Sequence, residues 1–117
     1  MDQPMITVRS SWRDDVLVVS VAGEVDMDTA PRARAALQHP AAVVLDLDEV
    51  TFFGSAGIQL LVDAHAMVED LAVVATRRPV LRPLEVTGLT EHLALCPSVD
   101  AALDRVQRRI RSRAGCV

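Results

Sequence analysis

The segment from Val43 to Val62, Val-Val-Leu-Asp-Leu-Asp-Glu-Val-Thr-Phe-Phe-Gly-Ser-Ala-Gly-Ile-Gln-Leu-Leu-Val, constrains the fold of this chain more than any other. It opens inside a short continuous apolar run, Ala42 to Leu47, as expected of a strand covered on both faces. The chain then passes through acidic residues and turns at Gly54. Ser55 opens a helix in which Ile58, Leu61, Val62, Ala66 and Met67 recur at helical spacing to about Glu69. A strand covered twice and followed at once by an amphipathic helix requires a sheet with helices layered on it. Ser55 then stands at the positive end of a helix, among N–H groups that have no partner inside it, where a phosphate is well accommodated. As a plain N-cap the same hydroxyl would stabilise the helix by roughly 1 kcal/mol, and the two roles are compatible.

The remaining elements follow from pattern and punctuation. Met5 to Ser11 reads as an edge strand and Val16 to Ala22 as a β-branched strand, with Arg13-Asp14-Asp15 as the hairpin turn. Gly23-Glu24-Val25-Asp26 breaks the second strand. Asp28 or Thr29 caps a helix with Pro31 in its first turn, which runs to about Gln38 and ends before Pro40. Leu71 to Thr76 is the next strand, and Pro79 to Val86 a short helix stopped by Gly88. Leu93 to Cys96 reads as a brief strand. Pro97 and Ser98 open a last helix with a stripe of Val99, Leu103, Val106 and Ile110. This order, β-β-α-β-α-β-α-β-α, predicts one α/β domain over 1–117: a mixed, mostly parallel sheet of four to five strands with about four helices packed on it. Parallel strands joined by right-handed crossovers end on one edge of the sheet. Glu24 and Asp26 are therefore expected on the same edge as Asp48 and Ser55, where ligands and partners of such sheets gather.

Charge and composition remove several functions. The net charge of −4 hides an asymmetry: all 16 acids lie before Arg105, while five arginines (Arg105, Arg108, Arg109, Arg111, Arg113) lie in the last segment, about 105–117. An acidic body repels nucleic acid, so no direct nucleic-acid binding is expected, and the basic segment reads as a solvated helix face. Trp12, Phe52 and Phe53 are the only aromatic residues, too few for base stacking. In the adjacent pair Phe52 and Phe53, one ring is expected to pack inward and the other to face out. Cys96 and Cys116 match neither a metal spacing nor a disulfide framework. With no leader and no apolar run near membrane-spanning length, a cytoplasmic protein without membrane insertion is expected.

Catalytic constellations are missing or incomplete. Phe53-Gly54-Ser55-Ala56-Gly57 is half of a nucleophile elbow, which needs glycine at the position of Phe53. His39, His65 and His92 share no ligand spacing, so no metal is expected. Asp46 and Asp48, taken to alternate across a strand end, are expected on opposite faces, against a paired-carboxylate site. No Gly-rich phosphate loop occurs, and no cofactor is expected.

Two segments carry a family likeness. Val21-Ala22-Gly23-Glu24-Val25-Asp26 with Thr29-Ala30-Pro31 looks like a Gly-Glu-(apolar)-Asp turn ahead of a first helix. Leu45-Asp46-Leu47-Asp48-Glu49-Val50-Thr51-Phe52-Phe53-Gly54-Ser55-Ala56-Gly57-Ile58 is similar to a signature in which Asp-Leu-Ser, a spacer and an apolar pair precede Asp-Ser-(Ser/Ala)-Gly-(Leu/Ile). With these segments the chain resembles the STAS domain, in particular bacterial anti-sigma factor antagonists. It departs from their pattern at Gly54, where aspartate is usual, and at Gln59, where a second small residue is usual.

The resemblance implies a STAS-like domain without catalytic activity that binds an anti-sigma factor of the serine-kinase type and so frees a sigma factor. Phosphorylation at the position of Ser55 ends that binding, and a phosphatase restores it. The resemblance places partner contacts at Glu24, Asp26, Asp48, Phe53, Gly54, Ser55, Ala56, Gly57 and Ile58, with Gly54 and Gly57 permitting the tight turn and close approach. A monomer or weak homodimer is expected. The alternative is a STAS subunit of a larger lipid-transport or sensory assembly that is not phosphorylated, with a small ligand conceivable on fold analogy.

Overall fold

The computed structural model describes residues 6–37 and 41–114. The elements are β1 (Ile6–Arg13), β2 (Val16–Val25), α1 (Ala30–Ala36), β3 (Ala42–Phe53), α2 (Ser55–Met67), β4 (Asp70–Val74), α3 (Arg78–Thr87), a 3₁₀ turn (Leu89–Glu91), β5 (Leu95–Cys96) and α4 (Val99–Ala114). They build a five-stranded sheet in the order β1-β2-β3-β4-β5. The β1–β2 hairpin is antiparallel and the other pairings are parallel. The expected α/β architecture is therefore present. Met5, Gln38, His39, Pro40 and Cys116, which enter the expectations above, lie outside the described residues.

The layering follows from the connections. Crossovers of one hand that step always in the same direction place their helices on one face. One core accordingly joins Ala33 and Leu37 of the α1 segment, Leu60, Leu61 and Ala64 of α2, and Val80 and Leu84 of α3 to Val43, Leu45 and Leu47 of β3. The opposite face, with Val16, Val18, Ala42 and Val44, is covered by Ala102, Leu103 and Val106 of α4. β4 is buried along its whole length, as a central parallel strand should be.

Two strands run further than their sequence pattern indicates. β2 does not break at Gly23 but continues to Val25, because Gly23 adopts φ 104, a left-handed value that suits glycine, and passes a bulge. β3 does not stop at Leu47 but reaches Phe53. Its pairing with β2 shifts by one residue between Ser20–Asp46 and Ala22–Glu49, and again between Gly23–Val50 and Glu24–Phe52. Each bulge adds one residue to β3, so the core-facing positions become Leu47, Val50 and Phe53 at intervals of three.

The buried side of α2 also differs from the expected stripe. Gly57, Leu60, Leu61 and Ala64 face the core, whereas Val62, Ala66 and Met67 are exposed. The helix is rolled this way because Gly57 sits directly over the Phe53 ring. A Cβ added there would lie 2.7 Å from Phe53 Cε1 and 2.8 Å from Cδ1, closer than real contacts allow.

At the other end of the sheet, α4 is held ionically. Asp70, 1% exposed at the start of β4, is gripped by Arg113, whose Nη1 lies 2.9 Å from Oδ1 and whose Nη2 bonds Oδ2. Arg109 Nε approaches the same carboxylate at 3.5 Å. Two arginines of the basic segment are thus structural clamps, and Arg108 pairs with Asp104 one turn back. The guanidinium of Arg113 outweighs desolvation and holds the Asp70 carboxyl below its usual value.

Two outcomes are expected. Asp70→Asn removes the buried negative charge that both arginines meet and costs about 3 kcal/mol, the lower end of the range for a broken buried pair because the arginines stay half in water. Since the folded carboxyl is the stronger acid, the wild-type advantage is full above the ordinary aspartate value near 3.8 and fades as pH falls through the depressed value. Urea titrations of both proteins from neutral pH into acid measure this difference. Gly57→Ala raises helix propensity by about 1 kcal/mol, but overpacking against Phe53 costs about 1–3 kcal/mol. A net loss of stability in thermal unfolding is expected.

Candidate functional site

The site is built where β2 and β3 end together. Glu24 pairs with Phe52 and Val25 with Phe53, and the Gly54 N–H then donates to the Val25 carbonyl at 3.0 Å. This last bond carries the ladder one residue past the strand and fixes the point at which α2 begins. The Gly54 carbonyl accepts both the Gly57 N–H at 2.9 Å and the Ile58 N–H at 3.1 Å, closing the first turn. The amides of the first turn point outward at the positive helix end.

Ser55 is the first residue of α2, and the N-cap is Gly54, so the serine is not the N-cap. It is exposed. Gly54 has φ −89 and ψ −168, extended backbone that any residue adopts. The expectation that glycine is needed at 54 for a tight turn is therefore replaced: what a side chain there would meet is Phe52, whose Cε2 lies 3.0 Å from an added Cβ.

The aromatic pair divides as expected, but in the opposite sense to the assigned contact. Phe53 is 4% exposed and belongs to the core, and only its edge contributes to the lining of the groove beside Ser55. Phe52 is 53% exposed and is the ring on the surface. The two bulges of β3 set this outcome. Gly57 is also buried, beneath the site rather than on it, while Ala56 and Ile58 are half-buried against the core.

The acidic residues separate into three situations. Glu24 is exposed at the strand end, beside Phe52 in the ladder. Asp26 lies in the same turn, but its Oδ1 accepts the Asp28 N–H at 2.9 Å and the Thr29 N–H at 3.0 Å. These bonds, that from Thr29 foremost, hold its carboxyl below the usual value. Thr29, one of the two residues expected there, is the N-cap of α1, though its side chain makes no capping bond, and Asp26 satisfies the N–H groups of the turn ahead of the helix. Thr29 is buried; its hydroxyl accepts the Asp26 N–H at 2.9 Å and donates to the Glu24 carbonyl at 2.7 Å. Asp48 is not beside Ser55. It precedes the end of β3 by five residues, roughly 15 Å of extended chain, and its Oδ1 accepts from Thr76 N at 2.7 Å and Thr76 Oγ1 at 3.1 Å.

Asp46 and Asp48 also correct an expectation. Residues two apart in a strand share a face, and here the Asp48 N–H donates to Asp46 Oδ1 at 3.1 Å. Asp46 is occupied by a donor within β3 and Asp48 by Thr76 just past β4, so they still do not form a free acid/base pair.

A groove of about 480 Å³ opens beside Ser55, between the start of α2 and α3, lined by Gly54, Ser55, Ile58, Pro83, Val86 and Thr87 among others. Val86 is 72% exposed on its rim, and Met27, in the turn after β2, is 81% exposed. These exposed apolar groups were not singled out from sequence; a solvated helix position and a turn carry no pattern that marks them. Gln59 donates to Asp63 Oδ1 at 2.9 Å, and Arg34 Nη1 meets Asp63 Oδ2 at 2.6 Å, tying α2 to α1 behind the site. Among the described residues, no three of His, Cys, Asp or Glu converge as a metal site, and no helix is long and apolar enough to cross a membrane.

Known proteins resemble this chain in sequence and fold. The family model described as the STAS domain matches residues 8–102. The chain is 31% identical over 110 residues to the anti-sigma-F factor antagonist RsfB of Mycobacterium tuberculosis, covering 87% of this chain and 90% of that protein. It is 32% identical over 100 residues to the anti-sigma-B factor antagonist of Listeria monocytogenes, covering 77% and 88%. The crystal structure of an anti-sigma factor antagonist from Mycobacterium paratuberculosis superposes with a TM-score of 0.82 at 36% identity, covering 92% of this chain and 99% of that one. Fold, site segments and these relatives agree, and the chain belongs to the STAS domain family.

Proposed function

We propose that this protein is an anti-sigma factor antagonist: it binds an anti-sigma factor through the edge formed by Glu24, Phe52 and the start of α2, and so releases a sigma factor. The relatives named above are antagonists of this kind. The observation that carries the reading is the exposed Ser55 at the first position of α2, on the lining of the groove and next to Gly54, over which the Phe52 ring lies. The partner is of the serine-kinase type, and phosphorylation of Ser55 turns binding off. A phosphatase resets the switch.

The physics of the switch is simple. A phosphate adds about −1.5 to −2 charges and three acceptor oxygens. The positive end of α2 tolerates that group, so the fold is retained. A docked surface does not tolerate it, because bulk and charge enter a contact lined by apolar groups and flanked by Glu24. Every 1.4 kcal/mol of mismatch lowers affinity about tenfold, so a small penalty suffices.

Gly54 favours a second reading, a STAS binding subunit that is never phosphorylated, since the carboxylate usual before the serine is missing. One experiment separates the two. The protein is incubated with ATP and a kinase-type anti-sigma factor, and the Ser55 peptide is examined for a mass gain of one phosphate. In binding assays, Ser55→Ala is expected to bind constitutively and Ser55→Asp or Ser55→Glu to bind at least about tenfold more weakly. Equal affinity for all of them rejects the switch and leaves the fold untouched.

A further inference from the structure

The geometry points to Phe52 as the specificity-determining contact of the docking edge, in a seat that the glycine at 54 leaves unobstructed. The inference rests on the docking reading just given and identifies what the partner must present. Gly54 is not explained by its backbone, which is ordinary extended chain. It is explained by the Phe52 ring, which lies across the turn with Cε2 3.0 Å and Cζ 3.3 Å from the position of a Cβ. A side chain at 54 makes that ring give by a few tenths of an ångström or more, so the seating of the ring and the residue at 54 are coupled.

The consequence is chemical. An aspartate before Ser55 would offer an anionic contact that suits an arginine or lysine of the partner. This chain offers a half-exposed aromatic face instead, packed over Gly54, which itself lines the groove that holds Ile58 and Val86. No charged side chain lines that groove. Beside Phe52 in the ladder stands the exposed Glu24, without an ion pair among the described residues. The fitting partner is an anti-sigma factor that places an aliphatic patch on Phe52 and the groove, with any basic group displaced toward Glu24. Large side chains that become fully desolvated at the centre of a contact carry most of its binding energy.

A double-mutant cycle on the full chain tests this. Wild type, Phe52→Ala, Gly54→Asp and the double variant are titrated by calorimetry against the anti-sigma-F factor of Mycobacterium tuberculosis, the target named for the 31%-identical relative. Ser55→Ala serves as reference, and thermal unfolding verifies that each variant is folded. Phe52→Ala is expected to weaken binding at least about tenfold, and Gly54→Asp to weaken it comparably. Once Phe52 is alanine, the Gly54→Asp step should cost less than about threefold, because no ring is left to displace. Phe52→Ala or Gly54→Asp binding like wild type overturns the inference while the docking reading stands. Failure of both wild type and Ser55→Ala to bind removes the docking reading, and the inference with it. Gly54 and Ser55 amide resonances that do not move in Phe52→Ala would likewise refute the seating of the ring.

Discussion

The joint ending of β2 and β3 is the constraint on which the functional edge depends. Glu24–Phe52, Val25–Phe53 and the Gly54 N–H to Val25 carbonyl bond bring together two segments about thirty residues apart. Without that pairing the Gly-Glu-Val-Asp turn and the Gly-Ser-Ala-Gly turn would be separate loops. With it, the start of α2 has one position and one direction, and Ser55 is presented rather than merely present. Asp26 and Thr29 complete the frame by satisfying the donors of the turn after β2.

The two ends of the sheet are built differently. At the end opposite Ser55, the buried Asp70 carboxylate is held by Arg113 and approached by Arg109, so α4 is fastened to β4. At the Ser55 end, side-chain bonds are spent on the turn after β2, while the groove, Phe52, Met27 and Val86 remain open. Exposed apolar side chains clustered at one edge of a small domain are characteristic of a docking surface. A switch that acts by adding charge there needs no movement of the core, because the core ends at Phe53 and Gly57 directly beneath it.

Much of this was legible in the sequence. Element order followed from apolar runs and their punctuation, with Gly88 a clear stop at φ 76. The partnership of the Glu24 and Ser55 turns followed from crossover geometry. What escaped was non-local. The bulges in β3 arise from its pairing with β2, and local pattern assigned neither the full strand nor which of Phe52 and Phe53 would be buried. The roll of α2 depends on Gly57 fitting over Phe53, so a stripe that included Val62 and Met67 misplaced the buried face. The expectation for Asp46 and Asp48 failed on strand periodicity itself, and Asp48 was placed too near Ser55 because β3 was read too short. Asp70 and Arg113 are 43 positions apart, a distance at which no spacing rule operates.

Hydrogen-exchange footprinting of the full chain with and without a bound anti-sigma factor tests the central claim most directly. The expected result is protection confined to the turn after β2, the end of β3, the first turns of α2 and the facing side of α3, with α4 and the Asp70 clamp unchanged. Protection centred on α4 or on the β1–β2 turn, with the Ser55 edge exchanging freely in the complex, would contradict it.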